Sequence, residues 1–341
     1  MRRPTIVDIA KAAGVSKGSV SYALNGRPGV SEATRRRILS IAEDLGWAPS
    51  TAARTLSDGR TDAIGLVIDR PARTLGLEPF FMALISGIQT ALAETSTSLL
   101  LQVTQEQRQE MSTYASWHAR RRVDGVLVVD LRTDDPRPAA LHGLGLPAVL
   151  IGGPLPGAAQ PCVWSDDASV VREVLEYLAA LGHRRIARVA GPAHLLHTRT
   201  RSRAFEESAA EFGLDDCGIV HSDYSDEAGA RSTRRLLSRR RPPTALMFDN
   251  DLMAVSALGV AREMGFAVPG DLSIVAWDDS PLCRMMRPPL TAVSRDVEAH
   301  GEQAVRVLRD ALAGAVPHDA ATPPAVMVPR ASTGPPPARR S

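Results

Sequence analysis

The sequence predicts a small all-α helix-turn-helix head, followed by a larger α/β body with two lobes built on doubly wound parallel sheets. Three observations lead to this fold class. Two short amphipathic helix patterns separated by a glycine begin the chain, and strand patterns then alternate with helix patterns in two successive runs. The length of 341 residues exceeds that of one typical domain, and the 44% hydrophobic content supports a full core.

The helix-turn-helix pattern occupies the first 25 residues. Thr5–Asp8 fits a capping box that opens a helix, and Gly14 ends that helix. Ser16 fits the N-cap of a second helix, in which Val20 and Leu24 fall on one apolar face. In this motif the second helix enters the major groove of DNA and presents its outward side chains to the bases.

A third helix and a linker complete the head. Ser31 caps a helix that runs to about Leu45 and ends at Gly46, so the head spans 1–46. The segment 47–60 has helix start and stop signals, but it is too short to hold a helix unaided. We therefore interpret 47–60 as a hinge helix or linker.

The body repeats a strand-then-helix order. Strand patterns cover 63–68, 99–103, 125–129, 147–151, 186–190, 218–221, 245–248 and 273–277. Helix patterns lie between or after these strands. One covers 81–93, and a second follows the strand at 99–103 and ends at about residue 121. The others cover 167–181, 202–212, 226–238, 251–264 and 297–313. Two such runs in succession predict two similar lobes with parallel sheets.

Charge is distributed unevenly along the chain. Residues 1–60 carry ten cations and five acids, an excess of five positive charges, so the remainder carries an excess of three negative charges. A basic head on an acidic body suits attraction to phosphate. A solvated helix surface accounts for the same asymmetry, so both interpretations remain open.

Composition also bounds the compartment. Cys162, Cys217 and Cys283 are odd in number and widely separated, which fits a reducing cytoplasm rather than a disulfide framework. The N-terminus lacks the apolar core of a signal peptide, and no stretch of about 20 apolar residues is present. We therefore expect a cytoplasmic protein with no membrane partner.

Catalytic motifs are weak. His194 and His197 are spaced as a pair, but the glutamate and the third ligand of a zinc enzyme do not accompany them. The glycines at 152 and 153 do not form a nucleotide-binding loop, and no nucleophile-elbow serine is found. We expect no enzyme: no catalytic residue, no metal site and no cofactor.

Six stretches of the head share one ordered pattern: Thr5–Ala10, Ala13–Ser16, Val20–Ser21, Leu24–Gly26, Val30–Arg35 and Leu45–Trp47. On these stretches, residues 5–65 resemble the head of the lactose/galactose-repressor (LacI/GalR) family of transcriptional regulators. The resemblance implies a homodimeric repressor of sugar uptake or catabolism genes that holds a pseudo-palindromic operator in double-stranded DNA. A small carbohydrate-type effector would release it, or would act as a corepressor instead.

Two other functions compete with this one. The body alone fits a plain sugar-binding module, and a doubly wound fold also hosts enzymes. The head and the expected lack of an export signal speak against the first, and the weak catalytic motifs speak against the second.

The resemblance implies roles on DNA residue by residue. The base-reading positions are Lys17, Gly18 and Tyr22. The phosphate-contacting positions, which orient the protein without specifying bases, are Thr5, Ser16, Asn25 and Ser31. Ala53 and Leu56 match the hinge helix, whose paired leucines enter the minor groove and kink the duplex.

The body of the family is similar to a periplasmic sugar-binding protein, with a cleft at the carboxyl ends of its strands. The resemblance implies effector-binding roles for Asp69, Phe80, Arg201, Tyr224, Asn250, Asp278 and Arg295. Simpler roles compete with some of these: core packing for Phe80 and a surface helix start for Arg201. Asp251 is expected to cap the helix that follows it, while Asn250 contacts the ligand.

Arg295 leaves two interpretations open, because relatives more often carry glutamine at this position. Its charge fits an acidic or phosphorylated ligand, and it equally fits a salt bridge to Asp278.

The family's chain crosses three times between its lobes, and here the crossings are expected near Cys162, Leu290 and Ala321. The first lobe would comprise 61–162 and 291–321, the second 163–290 and 322–334, and 335–341 would form a disordered tail. The helix at 297–313 would return to the first lobe, and the strand at 326–328 to the second.

Overall fold

The computed structural model describes residues 4–47, 60–71, 75–76 and 78–337. The chain forms two compact units, which divide between Thr61 and Asp62. Ala53 and Leu56, the hinge residues implied by the resemblance, lie outside the described residues.

The head is a bundle of three short helices, α1 (Ile6–Ala13), α2 (Lys17–Leu24) and α3 (Glu32–Asp44). Each helix contributes one fully buried aliphatic side chain to the shared core: Ile9, Val20 and Ile38. The predicted helix-turn-helix, its glycine turn and its third helix are therefore confirmed.

The helix starts of the head are capped as their sequence signals predict. The backbone N–H and the hydroxyl of Thr5 both donate to Asp8 Oδ2, at 2.8 and 2.7 Å. The hydroxyls of Ser16 and Ser31 each accept from the backbone N–H three residues further on. Gly14 has a φ of +64°, which places the turn between α1 and α2 in the left-handed region.

The first lobe is a six-stranded parallel sheet in the order β11-β5-β4-β3-β1-β2. Its strands are β1 (Ala63–Asp69), β2 (Ser98–Thr104), β3 (Gly125–Val128), β4 (Ala148–Ile151), β5 (Cys162–Trp164) and β11 (Ala320–Ala321). One face packs against α4 (Pro79–Ala93) and α12 (Val297–Leu312). The other face packs against α5 (Gln107–Ala119) and α6 (Arg137–Leu144).

The second lobe repeats this plan in the order β12-β10-β9-β8-β6-β7, with only β12 antiparallel. Its strands are β6 (Arg185–Ala190), β7 (Asp216–His221), β8 (Ala245–Phe248), β9 (Ser273–Trp277), β10 (Thr291–Ser294) and β12 (Val326–Val328). One face carries α7 (Asp167–Ala180) and α8 (Leu196–Glu211). The other carries α9 (Asp226–Leu237), α10 (Asp251–Glu263) and the short α11 (Pro281–Met285).

The first two crossings between the sheets lie a few residues beyond Cys162 and Leu290, near which they were expected. β5 belongs to the first sheet and β10 to the second, so the chain crosses after Trp164 and after Ser294. These strands are three and four residues long, too short for their periodicity to be recognised. The third crossing follows β11, which ends at Ala321.

α4 and α12 cross at two glycines. A Cβ at Gly87 would lie 1.9 Å from the Glu298 carbonyl oxygen, and a Cβ at Gly301 would lie 2.4 Å from the Leu84 carbonyl oxygen. The two helix backbones are therefore in direct contact. Because both helices begin near the cleft described below, their first turns are held in a fixed relation.

The lobes also touch through backbone hydrogen bonds beside α8. The Thr133 N–H donates to the His194 carbonyl at 3.0 Å, and the Leu196 N–H donates to the Leu131 carbonyl at 2.7 Å. Covalent crossings and this contact together fix the two lobes around the cleft. Among the described residues, none of the helices combines the length and the apolar character needed to cross a membrane.

The C-terminal segment is anchored to the second lobe. The Nε2 of buried His183 lies 2.9 Å from the Gly334 carbonyl oxygen, and Pro336 lies beside Gly182, partly buried. The tail predicted over 335–341 therefore begins later, and its last four residues lie outside the described residues.

Candidate functional site

Most of the polar side chains at strand ends meet in a cleft between the two lobes of the body. The empty space of the cleft is about 830 Å³, a volume that includes its open mouth. The first lobe contributes Arg70, Glu78, Phe80 and Asp130, and the second contributes Arg201, Tyr224, Asn250, Asp251 and Asp278. The crossings contribute Ser165, Asp167, Arg295 and His300.

Six of the seven predicted effector residues line this cleft, and Asp69 does not. Asp69 accepts from Arg132 at 2.8 Å and from the Thr104 hydroxyl at 3.2 Å. Arg132 also pairs with Glu110. The end of β1 is therefore part of an ion network inside the first lobe. Asp69 was expected in the cleft because it follows a strand, but its carboxylate is directed into this network instead.

Arg201 is 2% exposed and is held from two sides. Its Nε donates to Asp167 Oδ2 at 2.7 Å, and its guanidinium carbon lies 3.8 Å from the centre of the Trp277 ring. The neighbouring carboxylate of Asp167 raises the pKa of Arg201 against the effect of burial, so the group stays charged. A surface role for Arg201 is thus wrong.

Tyr224 is buried with its hydroxyl directed at a histidine. The hydroxyl lies 2.7 Å from His197 Nε2 and 3.3 Å from the Thr198 hydroxyl. Burial holds the pKa of His197 well below its usual range, and Arg201 adds to this, so the ring is neutral. The guanidinium of Arg70 lies 5.2 Å from the Tyr224 ring centre and reaches it from the first lobe.

The prediction that Asp251 caps the following helix is wrong, because Asn250 is the cap. Asn250 is the N-cap of α10: its Oδ1 accepts from the Met253 N–H and its Nδ2 donates to the Tyr224 carbonyl, both at 2.9 Å. Asp251 is not the cap. Its Oδ1 accepts from the Leu252 N–H, and its buried Oδ2 lacks a hydrogen-bond partner among the described residues. The free acceptor therefore belongs to Asp251.

Arg295 forms the salt bridge that was one of its two interpretations. Its Nε donates to Asp278 Oδ1 at 2.6 Å and its Nη2 to Asp278 Oδ2 at 3.3 Å. Its guanidinium also lies 4.9 Å from the Phe80 ring centre. The charge of Arg295 is already matched, so this residue gives no reason to expect an acidic ligand.

The first lobe contributes a cluster of charged residues that was not among the predicted effector-binding residues: Arg70, Glu78 and Asp130. Arg70 Nη2 lies 2.9 Å from Asp130 Oδ2, and Arg70 Nε lies 3.8 Å from Glu78 Oε2. Burial raises the pKa of Glu78 to about 7, although Arg70 opposes the shift. Asp130 lies two residues beyond the end of β3, so a search of the strand ends would have found it. Glu78 immediately precedes α4, where the pattern gave no signal.

Three cleft residues adopt the left-handed backbone conformation: Asp130 (φ +52°), Tyr224 (φ +69°) and Asp278 (φ +69°). Each lies just beyond a strand that carries the cleft. Non-glycine residues adopt this conformation at some cost in energy, and such positions cluster at functional sites. The backbone conformation therefore identifies the same strand ends as the side chains that line the cleft.

His300, on the first turn of α12, joins the cleft to the crossings. Its Nδ1 bonds the Asp296 carbonyl at 2.8 Å, and its Nε2 lies 2.9 Å from the Thr322 hydroxyl. Thr322 in turn bonds the Trp164 carbonyl through its N–H and its hydroxyl. His300 therefore contacts two of the crossing segments directly and is linked to the third through Thr322, a connection between distant positions that no local pattern reveals.

On the head, the three predicted base-reading residues Lys17, Gly18 and Tyr22 are exposed on α2. Tyr22 is 45% exposed, and its ring edge lies 3.1 Å from the position of a Cβ at Gly29. Of the predicted phosphate-contacting residues, Thr5, Ser16 and Ser31 are helix N-caps, and the Asn25 amide lies 3.4 Å from the Ser21 hydroxyl. The base-reading face is accessible.

Comparison with known proteins matches both parts of the chain. The model of bacterial regulatory proteins of the lacI family matches residues 5–50, and that of periplasmic binding protein-like domains matches residues 175–333. The transcriptional regulator CelR of Thermobifida fusca is 35% identical over 317 residues, which cover 92% of this chain and 93% of CelR.

Solved structures agree with this. A CelR–cellobiose complex is 30% identical, with a TM-score of 0.74 over 97% of this chain and 100% of that one. The lac repressor dimer bound to operator has a TM-score of 0.86 over 98% of this chain and 100% of that one. At 24% identity, the latter shows the fold alone.

The fold, the cleft and these relatives define a DNA-binding transcriptional regulator with a periplasmic binding protein-like body. The chain belongs to the LacI family of bacterial regulators.

Proposed function

We propose that the chain is a cytoplasmic, homodimeric repressor of sugar uptake or catabolism genes, released from a pseudo-palindromic operator by a carbohydrate in the cleft. One observation carries the proposal: six predicted effector residues converge on one cleft in a chain that also carries a capped helix-turn-helix. The relative CelR has been solved with cellobiose, which makes cellobiose the first compound to test.

On DNA, we propose that Lys17, Gly18 and Tyr22 read base edges, while the helix starts at Thr5, Ser16 and Ser31, with Asn25, contact phosphates. A helix N-terminus suits a phosphate because its free N–H groups point outward. Ala53 and Leu56 would order as a hinge on the operator, with Leu56 entering the minor groove.

The test begins with a thermal-shift screen of purified full-length protein against cellobiose and other neutral sugars. A compound that raises the melting temperature is then added to a fluorescence-anisotropy titration with DNA from the protein's own promoter region. We expect operator affinity to fall about 5- to 150-fold, the usual size of such coupling. Tighter operator binding would make the compound a corepressor, and unchanged affinity with every binding compound would refute the proposal.

A variant of the hinge tests the proposed role of Leu56 in the same DNA-binding assay. Leu56→Ala is expected to weaken operator binding much more than binding to scrambled duplex, because only the kinked operator accepts the leucine. Equal losses on both duplexes would exclude a minor-groove role for Leu56.

A further inference from the structure

The charges that line the cleft do not cancel. Its three arginines are already paired: Arg70 with Asp130 at 2.9 Å, Arg201 with Asp167 at 2.7 Å, and Arg295 with Asp278 at 2.6 Å. Asp249, also in the lining, pairs with the buried Arg188 behind it. Two further lining carboxylates have no hydrogen-bonded cation among the described residues, and they come from opposite lobes.

Glu78 is the first of these carboxylates. It is 7% exposed, it precedes α4 in the first lobe, and its Oε1 is buried with no hydrogen-bond partner among the described residues. The other oxygen lies 3.8 Å from Arg70 Nε, too far for a hydrogen bond.

Asp251 is the second. It is 2% exposed at the start of α10 in the second lobe, and its Oδ2 is buried without a partner within the described part of the chain. Burial raises the pKa of Asp251 to about 6; a hydrogen bond from the Ser280 side chain opposes this shift, and the charge of Asp278 adds to it. The negative charge of Asp251 in turn raises the pKa of Glu78, so the two carboxyls sense each other across the cleft.

A buried acceptor without a partner destabilises the folded protein, because it has lost its hydrogen bonds to water and no hydrogen bond within the protein replaces them. Two such acceptors that face one cleft from opposite lobes are satisfied together only by a molecule between them that donates hydrogen bonds. Arg70 Nε beside Glu78 is a buried donor that also lacks a hydrogen-bond partner among the described residues, so the same molecule has to accept a hydrogen bond there, as a hydroxyl group can. A neutral polyol has such donors, whereas a phosphate or carboxylate would add a third negative charge to the same space.

We propose that Glu78 and Asp251 form a two-sided acceptor for hydroxyl groups of the effector, and that this pair sets the effector's charge class: neutral and hydroxyl-rich, not phosphorylated or acidic. The proposal rests on the proposed function and adds to it which residues select the ligand. A ligand bridging the pair would also draw the two lobes together, because each carboxylate belongs to a different lobe.

The first test needs no ligand. The raised pKa of Glu78 means that the folded state keeps its proton while the unfolded chain loses it, so stability falls as pH rises from about 4.5 to 7. The groups that face Glu78 are Arg70, Asp130, Asp251 and Asp278, and those that face Asp251 are Glu78, Asp278 and Ser280. Glu78→Gln and Asp251→Asn remove the charge but keep the shape.

We expect each variant to raise the melting temperature of the full-length protein by about 2–4 °C at pH 8. At pH 5 the gain should be small for Glu78→Gln and about half as large for Asp251→Asn, because the pKa of Asp251 is raised from 3.8 to about 6 and its effect on stability therefore begins at lower pH. Glu94→Gln is the control, since Glu94 lies exposed at the opposite end of α4. A lower melting temperature of Glu78→Gln at pH 8 would mean that the carboxylate has a partner in the free protein, which overturns the proposal.

The second test measures affinity by calorimetry for cellobiose and cellobiose 6-phosphate, and for glucose and glucose 6-phosphate. We expect a neutral sugar to bind more tightly than its phosphate, with affinity rising from pH 6 to pH 8 as the acceptors ionise. Glu78→Gln should lose about 10- to 100-fold in affinity for the neutral sugar and show a flatter pH profile.

Tighter binding of either phosphate, or full affinity in Glu78→Gln, overturns the acceptor pair. The proposed function fails separately. If the two variants have a higher melting temperature at pH 8 but no sugar releases the operator, the proposed function is wrong. If a sugar releases the operator but the variants are not stabilised at pH 8, only the proposed acceptor pair is wrong.

Discussion

Arg201 shows how one side chain joins the chemistry of the cleft to the stability of the second lobe. Its Nε–H is directed at Asp167 and its plane lies on Trp277, so a planar, permanently charged group is required at this position. Lysine has the charge but neither the planar fork nor the stacking surface.

We therefore expect Arg201→Lys to retain operator binding but to weaken effector binding at least 10-fold. Lysine at this position leaves Asp167 with a poorer partner and uncovers the Trp277 ring, so the melting temperature should also fall. Arg203→Lys is the matched control, because Arg203 lies two residues further along α8 with an 81% exposed side chain. Calorimetry and anisotropy on both variants test this, and equal effects at both positions would remove Arg201 from the site.

The Arg295–Asp278 pair gives a second prediction at this scale. Arg295→Gln leaves the partly buried Asp278 carboxylate without its cation. Asp278→Asn leaves the partly buried Arg295 guanidinium without its anion. We expect the double variant to be more stable than the sum of the two single changes predicts, by about 1 kcal/mol or more in the free energy of unfolding. Urea denaturation of the four proteins measures this coupling, and strict additivity would show that the pair does not interact.

Among the elements, α4 and α12 have the closest approach described, through Gly87 and Gly301. A methyl group at Gly87 would collide with backbone rather than with a movable side chain. The helices would have to separate, which exposes the apolar face that they share with the first sheet.

We expect Gly87→Ala to lower the free energy of unfolding by about 3 kcal/mol or more, as overpacking against a fixed backbone does. Gly143→Ala in α6 is the control, since nothing lies within 4 Å of its Cβ position. Alanine there should be neutral or should stabilise by up to about 1 kcal/mol through helix propensity. Thermal and urea unfolding compare the two variants, and a mild effect at Gly87 would refute the direct backbone contact.

Sequence patterns predicted the long elements and several short ones, but they missed four short elements. The helix patterns at 226–238 and 251–264 correspond to α9 and α10, because an apolar stripe repeats over several turns. The short helices α1 and α2 were predicted from their capping signals, and β8 from its apolar run. β5, β10, α6 and α11 were not predicted, and the crossings were expected a few residues early because β5 and β10 were missed.

The candidate site was predictable where a side chain follows a strand, as with Asp278 after β9 and Tyr224 after β7. It was not predictable where hydrogen bonding decides between neighbours. Asn250 and Asp251 both suit a helix start, and only the contact with Tyr224 shows that Asn250 is the cap. His300 was missed because its partners lie on segments far away in the sequence.

At the scale of the whole molecule, the chain divides between Thr61 and Asp62, and the body carries the entire cleft. We expect the fragment 62–341 to bind the effector with the affinity of the full chain and to show no preference for operator over scrambled duplex. Calorimetry and anisotropy on the fragment test both parts. Operator preference in the fragment would contradict the assignment of DNA recognition to the head.

The left-handed backbone at Asp130, Tyr224 and Asp278 bears on how this cleft can change its ligand during evolution. A β-branched substitution at those positions would have to bear the unfavourable backbone conformation as well as any new contact, and glycine, asparagine and aspartate bear it at the lowest cost, so few substitutions are favourable there. Glu78 and Arg295 carry no such restriction. New ligand preferences in descendants of this protein should therefore arise first at Glu78 and Arg295, while the three strand ends stay fixed as the frame around them.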